Sequence, residues 1–184
     1  EDGNILKADK ATYDKINEKI VTYNNTEVML VEGYKLVSKN ISYDIIKKIL
    51  NSNEKSIFTD LDKNIIETTM FQYDIKNNLF SSVGKIKIID IQNNKYLFKE
   101  IHIDTKKKEM IGSDVSIVLD QQNFGVSEKS DPRFVANDIL IANNQTKLSK
   151  GVFTVCQKKE GKCPPWSIKA KKIVHDHVKK NIYY

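Results

Sequence analysis

The sequence predicts an all-β fold, an elongated antiparallel β-jelly roll built from two-strand repeats of about 30 residues. Two observations carry that expectation: a Tyr-Asp dipeptide that recurs at a fixed interval, and apolar–polar alternation in register with it. Tyr-Asp stands at Tyr13-Asp14, Tyr43-Asp44 and Tyr73-Asp74, and Ile103-Asp104 continues the series. The four segments read ILKADKATYD, KLVSKNISYD, IIETTMFQYD and KYLFKEIHID. Aligned, one column holds Ala11, Ile41, Phe71 and Ile101, and the column two residues on holds Tyr13, Tyr43, Tyr73 and Ile103. Between them lie Thr12, Ser42, Gln72 and His102. That is the period of a half-buried strand.

Each Asp is followed by a short polar turn: KINEK, IIKK, IKNN and TKKK. Asp suits a strand end because its carboxylate can accept from the backbone of the turn. Asn77-Asn78, Asn93-Asn94 and Asn143-Asn144 read as turns too, because Asn tolerates positive φ. Beyond each Asp-turn the chain is apolar again at Ile20, Leu50, Phe80 and Met110. Eight residues further stand Val28, Phe58, Ile88 and Val118, on the same face by parity. Helices have little support, since Val, Ile, Thr, Tyr and Phe dominate these columns. Stacked repeats of this kind form either a parallel β-helix or an antiparallel zigzag. The short turns favour the zigzag, because parallel neighbours need longer crossovers.

Near Asp120 the register breaks at QQNFGVSEKSDPRF. The chain therefore divides into repeats over 1–120 and a C-terminal segment over 121–184. In the latter, FVANDILIANNQTKLSKGVFTV resumes the pattern, and WSIKAKKIVHDHVKKNIYY reads strand–turn–strand, with His175-Asp176 in the Tyr-Asp role.

Composition excludes several classes. With 184 residues, 40% hydrophobic and 29% charged, the chain has the makings of a folded core. No apolar run is long enough for a spanning helix. The net charge of +6 comes from lysines interspersed with acids, and Arg133 is the sole arginine, which speaks against a DNA reader. No G-x-S-x-G, H-E-x-x-H or P-loop is present, so no enzyme activity and no cofactor is expected. The aligned Asp14, Asp44, Asp74 and Asp104 are explained as turn caps rather than a carboxylate cluster.

The segments GVFTVC, PPWSIKAKKIVHD and NIYY, with DPRFVAND upstream, resemble the periplasmic domain of the OstA family of lipopolysaccharide-assembly proteins, LptD in particular. CQKKEGKCPPW looks like the alphaproteobacterial form, and the Tyr-Asp repeats resemble the OstA jelly roll. One departure is the lack of any cysteine before Cys156. The resemblance implies a non-enzymatic transporter at the periplasmic face of the outer membrane of a Gram-negative bacterium. It implies three partners besides lipopolysaccharide: an LptA-type bridge joined by edge-strand addition, a C-terminal outer-membrane β-barrel, and that barrel's LptE-type lipoprotein. It also implies a chain cut just before its first barrel strand. Two alternatives stay open, an LptA-like bridge subunit and a β-helix protein acting on polysaccharide.

On that resemblance the interior columns become candidate lipid contacts. They are Tyr13, Tyr43 and Tyr73; Ile41, Phe71 and Ile101; Ile20, Leu50, Phe80 and Met110; Phe58, Ile88 and Val118; and Phe98. Rim lysines would meet phosphates of the glycolipid. In an oxidising compartment Cys156 and Cys163 read as disulfide partners. They could bond to each other, exchange with barrel cysteines, or stay free. His175 and His177 share a strand face, but two imidazoles do not complete a zinc site, so no metal is expected.

Overall fold

A computed structural model describes residues 3–159, 162 and 164–184. Ten short strands come first: β1 (Ile5–Lys7), β2 (Lys10–Asp14), β3 (Lys19–Tyr23), β4 (Thr26–Met29), β5 (Lys35–Ser38), β6 (Ser42–Asp44), β7 (Ile49–Ser52), β8 (Ser56–Thr59), β9 (Ile65–Thr68) and β10 (Phe71–Asp74). Longer strands follow: β11 (Leu79–Ile89), β12 (Lys95–Asp104), β13 (Glu109–Val118), β14 (Arg133–Ala142), β15 (Gln145–Thr154) and β16 (Ile168–Asp176). A single-turn helix, α1 (Gln121–Phe124), sits between β13 and β14, and β17 (Asn181–Tyr183) ends the order. Every described pairing is antiparallel. This settles the choice in favour of the zigzag and removes the β-helix reading.

The pairings trace two layers. One runs β1–β4–β5–β8–β9 and continues through Ile86–Ile89 of β11, Lys95–Phe98 of β12 and the matching halves of β13 to β16. The other runs β2–β3–β6–β7–β10 and continues through the remaining halves of β11 to β16 and β17. Each repeat therefore holds two bent strands, which in the first repeats are broken into four short ones. The bends line up as a corner along one side of the roll. The turns form two facing jaws along the other. Pairing continues from β13 to β14 across residue 120.

The jaw of the second layer is built as the sequence predicts. Asp14 Oδ1 accepts from Asn17 N, Asp44 Oδ1 from Lys47 N, Asp74 Oδ1 from Asn77 N and Asp104 Oδ1 from Lys107 N, all at 2.8–3.1 Å. Asp176 caps the last turn through Lys179 N at 2.9 Å. The fourth turn residue has positive φ in every repeat: Glu18, Lys48, Asn78 and Lys108. The other jaw rests on a second Asp series that the sequence reading missed. Asp60 and Asp90 cap turns ending at Asn64 and Asn94, and Asp120 caps α1 through Asn123 N.

Two expectations about the interior need correction. Tyr13 does not join its column: its side chain is half exposed and its hydroxyl donates to Glu18 Oε2 at 2.7 Å. It stands on β2, the outermost strand of its layer, which among the described residues pairs only with β3. Val118 lies on the outer surface, 42% exposed, while Ile117 faces in. The reason is the corner. Inward positions jump four residues from Thr22 to Thr26, Ser52 to Ser56 and Ser82 to Ile86, which keeps parity. In β13 the jump from Gly112 to Val115 is three, with Asp114 at φ 50, so parity flips.

Candidate ligand cleft

Between the jaws lies a cleft of about 620 Å³. One wall is Tyr34, Phe58, Ile66, Ile88 and Tyr96 from the first layer; the other is Ile103, Met110, Ile141, Thr146 and His177 from the second. Its volume falls in the range of small-ligand sites, about 300–1,000 Å³. The walls are largely apolar, Thr146 and His177 apart, because inward strand positions alternate with outward ones, and the cleft lies where the two layers splay apart towards their turns.

Of the candidate contacts, Phe58, Ile88 and Met110 line this cleft. Ile41, Leu50, Phe71, Tyr73, Phe80, Phe98 and Ile101 are buried in the packed interior instead. Tyr43 packs partly buried against that core, and Ile20 is half-buried near the N-terminal edge. Tyr34, Ile66, Tyr96 and Ile103 are wall residues that were not singled out as contacts. The signal for two of them was present: Leu6, Leu36, Ile66 and Tyr96 recur at the repeat spacing.

Around the N-terminal end of the cleft the interior is filled by rings. Phe58 stacks on Phe80 at 4.7 Å and on Tyr34 at 5.4 Å, and Phe71 stacks on Phe80 at 5.9 Å. Tyr34 Oη donates to the Thr105 carbonyl of the opposite jaw at 2.7 Å, and Tyr73 Oη bonds Thr105 Oγ1 at 3.1 Å. Burial pushes the Tyr34 phenol up to about 12. Above this point Lys108 Nζ reaches Asp62 Oδ2 across the mouth at 3.8 Å.

At the C-terminal end of the cleft His177 bonds Thr146 Oγ1 at 2.8 Å, and its ring lies 4.4 Å from that of His175. Burial lowers the pKa of both imidazoles. Tyr96 Oη donates to Asp90 Oδ2 at 3.0 Å, and burial raises its pKa. Among the described residues no group of three or more His, Cys, Asp or Glu could hold a metal ion. The expected basic rim is instead mixed. Asp60, Asp62, Asp90 and Glu109 face Lys107 and Lys108, and both lysines already have carboxylate partners, Asp104 at 3.3 Å and Asp62.

Past the cleft, Phe134 stacks on Phe153 at 4.5 Å, and Phe124 and Trp166 meet Phe153 edge-on at 6.0 and 6.5 Å. Thr154 Oγ1 donates to the Trp166 carbonyl and accepts from Cys156 N, tying the two sides of the cysteine segment together. Cys156 is partly exposed, and hydrogen bonding to Thr154 lowers its thiol pKa. Cys163 lies outside the described residues, and with it the expected Cys156–Cys163 bond.

The chain matches no family model and no curated protein. Among solved structures it is similar to LptH, the LptA-homologous periplasmic component of the lipopolysaccharide transport device of Pseudomonas aeruginosa. The identity is 18% and the TM-score 0.48, over 57% of this chain and 78% of that one.

Proposed function

We propose that this domain carries lipopolysaccharide in the periplasm without making or breaking a bond, and passes it to the outer membrane. The observation that carries the reading is the apolar cleft between the jaws of an antiparallel jelly roll. Acyl chains would gain about 25 cal/mol for each Å² removed from water there. The C-terminal resemblance supplies the finer version: an LptD-like domain at the periplasmic face of the outer membrane, acting with its own barrel and an LptE-type lipoprotein. Its Cys156–Cys163 segment would then fix the orientation over the pore.

An LptA-like bridge subunit is the second reading, and a specific observation favours it. Among the described residues, β1 and β2 at one end, and β17 and the Ile168–Ala170 part of β16 at the other, each pair on one side. An edge of this kind suits strand addition by a neighbour. Both readings share the cleft. Binding of purified lipopolysaccharide to the domain tests it. Met110→Glu places a charge in the wall and should weaken binding by at least about tenfold, the equivalent of roughly 1.4 kcal/mol. Leu97→Ser, on the outer face, should leave binding unchanged. Equal binding by both variants would remove the cleft from the account.

A further inference from the structure

Position 34 breaks the repeat. The corresponding residues in the other units are Asn4, Asn64 and Asn94. Each of these asparagines accepts, through Oδ1, from the backbone of the next turn along its own jaw: Val31 N at 2.9 Å, Ile91 N at 3.3 Å and Asp120 N at 2.8 Å. Asn64 and Asn94 also donate through Nδ2 to the cap Asp60 and Asp90. In the second unit the ladder is abandoned. Tyr34 replaces the asparagine and Leu30 replaces the cap aspartate. Tyr34 is 4% exposed and reaches across to the Thr105 carbonyl of the opposite jaw.

Its place in the interior is equally particular. Among the first-layer walls of the cleft, Tyr34 is the one nearest the N-terminal end. Beyond it, towards the N-terminal end, Val28 of β4 and Leu30 just after it are packed to near-complete burial. The ring stacks on Phe58, itself a cleft wall. Tyr34 is therefore the boundary between open cleft and filled core, bonded across the jaws at the point where one becomes the other.

We infer that Tyr34 is a specificity-determining end-stop: it closes the N-terminal end of the cleft and sets the length of the alkyl chain the cleft accepts. The inference rests on the lipid-carrying reading and deepens it. A chain entering between the jaws runs along Met110, Ile88 and Ile66 and ends against the Tyr34 and Phe58 rings. Tyr34→Asn restores the residue of the other repeats, whose register offers its Oδ1 the Leu61 backbone N–H. That exchange removes the ring and the bond across the jaws together.

The test is a series of saturated fatty acids of increasing length, read by displacement of a fluorescent alkyl probe from the intact chain. In the wild-type protein affinity should rise about fourfold for each methylene buried, then level off once the chain reaches Tyr34. In Tyr34→Asn the levelling-off should move to a longer chain. In Tyr34→Phe, which keeps the ring, it should stay where it is. An unchanged chain-length limit in folded Tyr34→Asn overturns the end-stop. If Tyr34→Asn does not fold, a fatty acid with a photoreactive group on its terminal carbon decides the matter on the wild-type protein. Labelling at Tyr34 and Phe58 supports the stop, and labelling at Val28 or Leu6, on the far side of Tyr34, overturns it. Absence of any fatty-acid binding to the wild-type protein is a different failure, that of the lipid-carrying reading, and the end-stop falls with it.

Discussion

The N-terminal and C-terminal halves of the roll turn the same corner by different means. In the first half the bent strands are broken, and the corner is lined by buried hydroxyls. Thr22 and Thr26 bond at 2.8 Å; Ser38 bonds Ser52 at 3.0 Å and Ser56 at 2.9 Å; Thr68 bonds Ser82. In the second half the strands run through unbroken, and the corner is lined by Gly112, Ala136, Gly151 and Ala170. Both halves need small inward side chains where the layers meet. The broken strands leave backbone groups for hydroxyls to satisfy, as when Thr22 Oγ1 accepts from Ile41 N. Continuous strands need no such help, and there the requirement reduces to volume. The lesson is that the corner constrains size first and polarity only where the ladder is interrupted.

The largest expected effect tests how far the first half depends on its ring stack. Phe80→Ala empties a fully buried position against Phe58 and Phe71 and should cost about 3–5 kcal/mol of unfolding free energy by denaturant titration. A cost below about 1 kcal/mol would mean that the stack is not tightly packed.

A pair of substitutions then probes volume at the second-half corner. A Cβ at Gly112 would lie 2.7 Å from the Phe98 ring and 3.2 Å from the Glu100 carbonyl. At Gly151 it would meet the mobile end of Ile173, also at 2.7 Å. Gly112→Ala should therefore cost about 1–3 kcal/mol, and Gly151→Ala clearly less, because Ile173 can change rotamer where a ring and a carbonyl cannot. Equal losses would show that side-chain mobility does not govern this corner.

Hydroxyl loss in the first half should be milder. Ser52 Oγ still accepts from Glu54 N and Ser56 Oγ still donates to the Glu54 carbonyl when Ser38 is removed. Ser38→Ala should cost about 1 kcal/mol, since both serines keep a partner and the only other bond lost is a long one, 3.4 Å, to the Asn40 carbonyl. A loss well above that would mark the ladder as cooperative.

The smallest effect is a pH dependence at the C-terminal end of the cleft. Asp176 faces the partly buried imidazole of His175, and Asp90 and Asp176 face the more exposed one of His177, yet both pKa values are lowered overall. The unfolded chain takes up protons first as pH falls through the ordinary histidine value of about 6.5, so stability should fall from about pH 7 towards about pH 5. Replacing both histidines by Asn should flatten that slope. An unchanged slope would assign it to other groups.

Much of this fold was legible because the Asp-turns and strand columns are local features repeated at one spacing. Tyr73, Leu50, Phe80 and Phe58 could be assigned to the interior from parity alone. Parity failed at Val118, because one residue fewer at the corner reverses every inward position after it, and nothing in VSIVLD reports that loss. Tyr13 was misjudged because an end strand has the pattern of its column without its neighbours. The cleft was less legible than the core. Columns show which side chains face in, but not where the layers separate, so Phe71 and Phe80 were grouped with Phe58 although only Phe58 reaches the open space. Position 34 was readable in principle, as the one break in the Asn series, but its meaning depends on the opposite jaw at Thr105, which no local pattern reveals.

The central claim is that lipid lies in the cleft between the jaws. Site-specific photo-crosslinking to lipopolysaccharide tests it most directly, with a photoreactive residue placed in turn at Ile66, Met110, Phe80 and Lys106. The account predicts adducts from Ile66 and Met110 in the cleft walls, and little from Phe80 in the filled core or from Lys106 on the outer turn. Adducts from Lys106 as abundant as those from Ile66 and Met110 would contradict it.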